Sequence, residues 1–450
     1  MTPLNGLSLT ILLLAGLLIL VLPRRWAPLP LLLGTFYLTL GQGIEVGPFN
    51  LFSIRVLLVA GLVRVTVRHE RAPGGLVGLD KLMIAWCLWA IACVVFRADP
   101  ATALKANAGI AFNAAASYYL LRTFCTSRDD ILRLCAIAIV LLTPVALEMH
   151  LEQLTGHNAF AVLGGVGDAP QVREGRLRAS GPFAHAILAG TVGAVCTPLA
   201  IAMWRTNRLL STIGVVACAS MIIASASSGP AASGAFAIIS LLAWRIRMRM
   251  RAVRWLSFAG LVALAASMQA PVYYIIARID IAGGSTGWYR ARLIESASEH
   301  IDEWWLAGTD RTGHWMATGI DSEHADITNQ YLHMGVTGGF LLMFLFMAML
   351  VTAFRYVGAA IRTAGTDGEQ FLAWALGASL FAHATTFISV AYFDQSFVFL
   401  YLTLAMIAAA GSPAALKASA AEPTPGNAAG RIAERAIVIR PPRTFPSYDT

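Results

Sequence analysis

Charge is what this sequence has least of. Only 13% of its 450 residues are Asp, Glu, Lys or Arg, while 57% are hydrophobic. A chain so poor in polar surface cannot cover a water-soluble globule, which excludes a soluble multidomain protein. Period-2 alternation is missing too. The apolar stretches run roughly 17–22 residues, which excludes a β-barrel and fits helices whose backbone groups are satisfied in lipid. Cysteine is scarce. Cys87, Cys93, Cys125, Cys135, Cys196 and Cys218 lie in or beside the apolar stretches and form no CxxC pair. Neither a disulfide nor a structural zinc is therefore expected. No basic residue precedes the first apolar stretch, Leu7–Leu22; Arg24 and Arg25 follow it. A cleaved signal peptide has the opposite polarity, so this stretch is expected to be a first transmembrane helix with its N-terminus outside.

What is present is a series of such stretches. Thirteen spans can be marked, at about 7–22, 28–46, 52–67, 82–96, 103–122, 131–149, 183–204, 209–226, 230–244, 255–277, 332–354, 370–390 and 397–411. The net charge of +8 is arranged around them rather than gathered into a nucleic-acid footprint. On alternate sides of this map the 33 Lys and Arg divide 23 to 10, the larger set including the run Arg245/Arg247/Arg249/Arg251/Arg254. The positive-inside rule places the larger set in the cytoplasm. The expected class is an all-α polytopic membrane protein: a transmembrane helical domain over 1–411 and a disordered cytoplasmic tail over 412–450. Two outward segments, about 150–182 and 278–330, are too long to be turns. The second is the large loop and is expected to contain short helices.

The first outward segment closes on Arg173-Glu174-Gly175-Arg176-Leu177-Arg178, then Gly181-Pro182-Phe183-Ala184-His185. Three arginines on the side where they are disfavoured need a reason. Either they bind lipid headgroups, or they hold an anionic ligand whose oxygens guanidinium groups match bidentately. In the large loop, Leu293, Ile294, Ala297, Ile301 and Trp304-Trp305 recur at helical steps from Trp288 onward. Ser285 or Thr286 would cap that helix and place Arg290 in its first turn, where the dipole favours an anion. Trp304, Trp305 and Trp315 read equally as an interfacial belt or as a stacking surface for sugar rings. Asp321, Glu323, His324 and Asp326 lie close together without cysteine or HxxxH spacing. They suggest a general base or an acceptor-orienting group before they suggest a metal, with solvated loop residues as the plain alternative.

Four motifs carry a family resemblance. They are Arg178-x-x-Gly181-Pro182-Phe183-x-His185 opening a span, Arg290-x-x-Leu293-Ile294 early in the large loop, Trp305-Leu306-Ala307-Gly308 in mid-loop, and Asn329-x-Tyr331-Leu332 followed by Gly335 and Gly338-Gly339. Together, over roughly 175–355, the chain resembles the O-antigen ligase/polymerase (Wzy-type) superfamily of bacterial membrane glycosyltransferases. The resemblance implies metal-independent, inverting transfer from undecaprenyl pyrophosphate-linked oligosaccharide at the periplasmic face of the inner membrane, without cofactor. It implies that Arg178 and Arg290 bind the pyrophosphate, with Arg176, Arg292, Trp305, Asn329 and Tyr331 as further substrate-binding candidates. Thr328 stands where the family often has His, so the base would be His324, Asp326 or His185. Relatives often carry Ser-Arg at the turn that here reads Ser227-Ser228, and ligases are usually assigned 12 spans rather than 13. Implied partners are the lipid-linked donor, a glycan or lipid acceptor, the bilayer and polysaccharide-export machinery. A polymerase is favoured over a ligase. The rival class is a transporter or flippase of lipid-linked or polar substrates, which would place ionisable groups mid-span; only His383 lies there. A non-catalytic assembly component is a third class.

Overall fold

Local capping signals set where the helices begin. Asn5, Asp99, Ser127, Asn207, Thr366 and Asn329 each accept a backbone N–H in the first turn of the helix they precede. Each thereby satisfies a donor that the helix start leaves open. The structure, a computed structural model, describes residues 2–39, 41–46, 49–278, 287–316 and 324–421. Ser285, Thr286, Asp321, Glu323 and the tail from 422 onward lie outside the described residues. The helices are α1 (Gly6–Val21), α2 (Pro28–Tyr37), α3 (Ser53–Val67), α4 (Gly78–Ala92), α5 (Pro100–Phe124), α6 (Arg128–Thr155), α7 (Ala186–Ala202), α8 (Arg208–Ala224), α9 (Ser228–Leu242) and α10 (Met250–Ser267). They continue as α11 (Gly287–Glu299), α12 (Ile301–Trp304), α13 (Gln330–Thr363), α14 (Asp367–Thr386), α15 (Phe397–Gly411) and α16 (Pro413–Ala421). Among the described residues, six helical runs are long and apolar enough to cross a membrane.

Two runs differ from the expected spans. The stretch expected over 28–46 is helical only to Tyr37, ten residues or about 15 Å. Beyond it, Gly41 and Gly43 disfavour helix, and strand β2 (Gln42–Val46) pairs antiparallel with β3 (Phe49–Phe52). A short strand β1 (Thr2–Pro3) joins the same sheet beside β2. The stretches at 230–244 and 255–277 are not separated by a turn. A 3-10 segment, Ala243–Arg249, links α9 and α10 into one helical run, Ser228–Ser267.

α7 lies at the centre. It is the most enclosed of the six runs, nearly all of it buried, and it packs against α6, α8, α9 and α14. Its sequence, AILAGTVGAVCTPLAIA, is rich in small residues, which lets neighbouring backbones approach closely. α15 packs against α5, α13 and α14 on the other side of the core. The outer faces carry bare leucines, Leu13, Leu17, Leu88 and Leu154 among them.

Candidate functional site

The segment between α6 and α7 is fastened at several points. The Glu152 carboxylate, fully buried at the end of α6, accepts the N–H groups of Ser180 and Gly181. Asn158 donates to the Gly181 carbonyl (2.8 Å), and Ala179 N–H donates to the Ala224 carbonyl. The turn between α14 and α15 holds the other end. There buried Asp394 accepts the Ala184 N–H (3.0 Å) and Gln395 donates to the Pro182 carbonyl (2.9 Å). Burial pushes the Asp394 carboxyl up, and its bonds from backbone N–H groups pull against that. Before this frame, strands β4 (Gln171–Arg173) and β5 (Arg176–Arg178) form a hairpin, with positive φ at both turn residues, Glu174 and Gly175.

The large loop is fastened to α13. Arg97, just beyond α4, donates to the Val336 carbonyl (2.9 Å) and pairs with Asp310 (2.6 Å). α13 breaks at Gly338-Gly339, where Gly339 has φ 74° and ψ −174°, a region that only glycine occupies readily. A Cβ on Gly339 would overlap the Leu306 carbonyl oxygen, and one on Gly308 would overlap that of Val336. The break leaves the Phe340 N–H free to donate to the Trp305 carbonyl (2.8 Å). Trp305-Leu306-Ala307-Gly308 and Gly338-Gly339 are thus two halves of one joint.

These two frames enclose a cavity of about 650 Å³. That is the size of a small-molecule site. Of the sequence candidates, Arg178, His185, Arg290, His324 and Asp326 line it, joined by Arg173, Asp310, Thr328 and His333. Arg178 is buried. Its Nε donates to the Ser225 carbonyl (3.4 Å) and its Nη2 to Ser227 Oγ, so the turn between α8 and α9 aims the guanidinium. Burial first, then the charges of Arg173 and Arg290, lower its proton affinity. Arg290 is buried on α11. It is shifted down by burial and Arg173 and pulled back by Asp326, and its Nε has no hydrogen-bond partner among the described residues. None of the three arginines makes an ion pair among the described residues. Burying cations without counterions is costly, and an anionic ligand would relieve that cost.

His185 caps α7. Its Nδ1 accepts the Ile187 N–H (3.0 Å), so the neutral ring carries its proton on Nε2. Burial, then Arg178 and Arg173, push its pKa down to about 4. In this state His185 donates from Nε2, and serving as a base at Nδ1 would break the cap. Asp326 reaches solvent at the cavity mouth, yet the walls crowd it enough to raise its carboxyl, partly offset by Arg290. The Tyr289 hydroxyl donates to its carbonyl (3.2 Å), tying α11 to this segment. The Nδ1 of His333, on the first turns of α13, is buried without a partner among the described residues.

Arg176, Arg292, Trp305, Asn329 and Tyr331 lie outside the cavity lining. Arg176 is exposed on β5, and Arg292 pairs with Glu295 and with Glu299 (3.6 Å) on the outer face of α11. Trp305 is exposed, whereas Trp304 and Trp315 belong to a small apolar core under the loop. Asn329 caps α13 and donates to the Ile388 carbonyl (3.1 Å), and the Tyr331 hydroxyl donates to the Ala384 carbonyl (2.8 Å). Both stitch α13 to the end of α14. His383 is buried and bonded to the Tyr392 hydroxyl (2.8 Å).

No protein-family model matches the chain. No curated protein matches it either.

Sequence reasoning had Arg173 only as one of three clustered arginines, missed His333 as a lining residue, and missed the convergence of His300, Glu303 and His314 elsewhere in the loop. Arg173 had a legible signal. Glu-Gly between two alternating triplets is hairpin chemistry, which pairs Arg173 with Arg176 across the turn. His333 had none, because a lone histidine in the first turns of an apolar helix gives no sign of the wall it faces.

Proposed function

We propose that this protein is a membrane glycosyltransferase that transfers or polymerises undecaprenyl pyrophosphate-linked oligosaccharide, metal-independently and with inversion. The observation that carries the reading is the trio Arg173, Arg178 and Arg290 around one cavity, unpaired with any described carboxylate. Guanidinium groups held in a walled site neutralise the charge that builds on a departing pyrophosphate. Neutral His185 adds a donor, and Asp326, with its raised carboxyl, is the group best placed to accept a proton from an acceptor hydroxyl. The proposed setting is a bacterial inner membrane crossed about 13 times, or 12. The cavity would face the periplasm and the C-terminus the cytoplasm, as the distribution of arginines suggests.

A polymerase is the preferred reading over a ligase because Thr328 replaces the family histidine. A transporter or flippase is the rival, and the concentration of chemistry at one end of the helices speaks against it. Deleting the gene and identifying what accumulates tests the proposal. Single-repeat lipid-linked products support a polymerase and long undecaprenyl-linked chains a ligase; unchanged surface glycans contradict both.

A further inference from the structure

Away from the cavity, the large loop brings together three side chains that its sequence spacing conceals. His300 stands immediately before α12, Glu303 lies within it, and His314 comes from the 3-10 turn Gly313–Trp315. One ligand atom from each lies within 4.8 Å of the others. Two ligands about 2.05 Å from a tetrahedral zinc ion are about 3.3 Å apart, so small side-chain rotations close the set.

Two of the three, His300 and Glu303, have the surroundings of metal ligands. The Nδ1 of His300 lies 2.8 Å from the Ser296 carbonyl, which can only accept. The proton is therefore fixed on Nδ1, and Nε2 keeps its lone pair. A second partner on the far nitrogen is the usual way a ligating imidazole is oriented. Glu303 receives the Trp315 Nε1–H on Oε2 (3.0 Å), while Oε1 meets His314 Nε2 at 2.9 Å. The carboxylate is thus held by an indole that an ion would leave undisturbed. The His314–Glu303 contact is the one an ion would take over, displacing any shared proton. The rings of His300 and His314 stand edge to face, 5.0 Å apart.

We propose that His300, Glu303 and His314 form a binding site for a divalent transition-metal ion of the zinc class. Two imidazoles and one carboxylate suit such an ion, whereas magnesium and calcium prefer all-oxygen shells. None of the three residues lines the cavity. The site acts on the cavity through the chain between its ligands, since residues 301–313 carry Asp310 and Thr312 of the cavity wall. Closing His300 onto His314 fastens that segment, so the ion is a structural clip that stiffens one wall.

The test uses the full-length protein in lipid nanodiscs, stripped with chelator and titrated with Co²⁺ and then Zn²⁺. The expected result is uptake of one Co²⁺ per chain with the visible absorption of a nitrogen- and oxygen-ligated ion, displaced by Zn²⁺ and unaffected by excess Mg²⁺. The near-isosteric double variant His300→Gln/His314→Asn loses this uptake, His69→Ala keeps it, and Trp315→Phe weakens it about 10–100-fold. Zn²⁺ also slows hydrogen exchange across 301–313 in the wild type but not in the double variant. Equal uptake by wild type and double variant, or no saturable uptake by the wild type, overturns the proposal.

Discussion

Arg290 repels Arg178 across a cavity that the two reach from separate loops. Arg178 is aimed by the turn between α8 and α9, Arg290 by its place on α11. Folding holds like charges together, and both are buried. Glu152, Asp394 and the joint at Gly339 fasten the backbone around them. The arrangement gains most when an anion binds between the arginines.

Arg173, the third cation, should contribute to donor affinity. Losing one charge-assisted contact costs about 1.5–3 kcal/mol, so Arg173→Ala should raise the donor KM roughly tenfold to a hundredfold. The kcat should change less. Competition by inorganic pyrophosphate checks the assignment, since the variant should be inhibited correspondingly less.

His185 should remain neutral well into the acid range. Its ordinary value near 6.5 is lowered to about 4 by burial and by Arg178 and Arg173. The unfolded chain then binds more protons between these values. The contribution of His185 to stability is complete above about pH 6.5 and is lost as pH falls toward 4. Imidazole nitrogen shifts measured by NMR on labelled protein should give a midpoint near 4, and Arg178→Met should move it upward.

On the proposed function, Asp326 and His324, which both line the cavity, are the candidates for the acceptor side. If Asp326 takes the hydroxyl proton, Asp326→Asn should lower kcat by about 10²–10⁴ while leaving donor affinity intact. His324→Ala should also cut turnover with little loss of donor binding. Steady-state rates at saturating donor check both, and unchanged turnover in both variants would shift the base to His333.

Gly339→Ala should destabilise the joint between the loop and α13. The native φ and ψ suit only glycine, at a cost of about 1–3 kcal/mol for another residue, and the added methyl meets the Leu306 carbonyl. Thermal unfolding in nanodiscs should show a lower transition. Ala substitution at Gly175, whose added methyl meets nothing within 4 Å, should be milder.

Much of this was legible. Hydropathy located the long helices, and helical spacing from Trp288 found α11 with Arg290 near its start. The span expected over 28–46 failed because Gly41 and Gly43 end the helical pattern inside a stretch that is still apolar. The roles of Asn329 and Tyr331 were hidden for another reason. A polar residue at a helix start reads as a binding group until its partner is known, and the partners, the carbonyls of Ile388 and Ala384, come from a different helix. The pairing of Trp305–Gly308 with Gly338-Gly339 was visible only as two motifs. Steric fit across the chain, not spacing, makes them one feature.

The most direct test is polysaccharide synthesis by Arg178→Ala and Arg290→Ala, measured beside the amount of each protein in the membrane. Both variants should insert and accumulate like the wild type yet make no product. Normal polymer from either, at normal protein levels, would contradict the donor site.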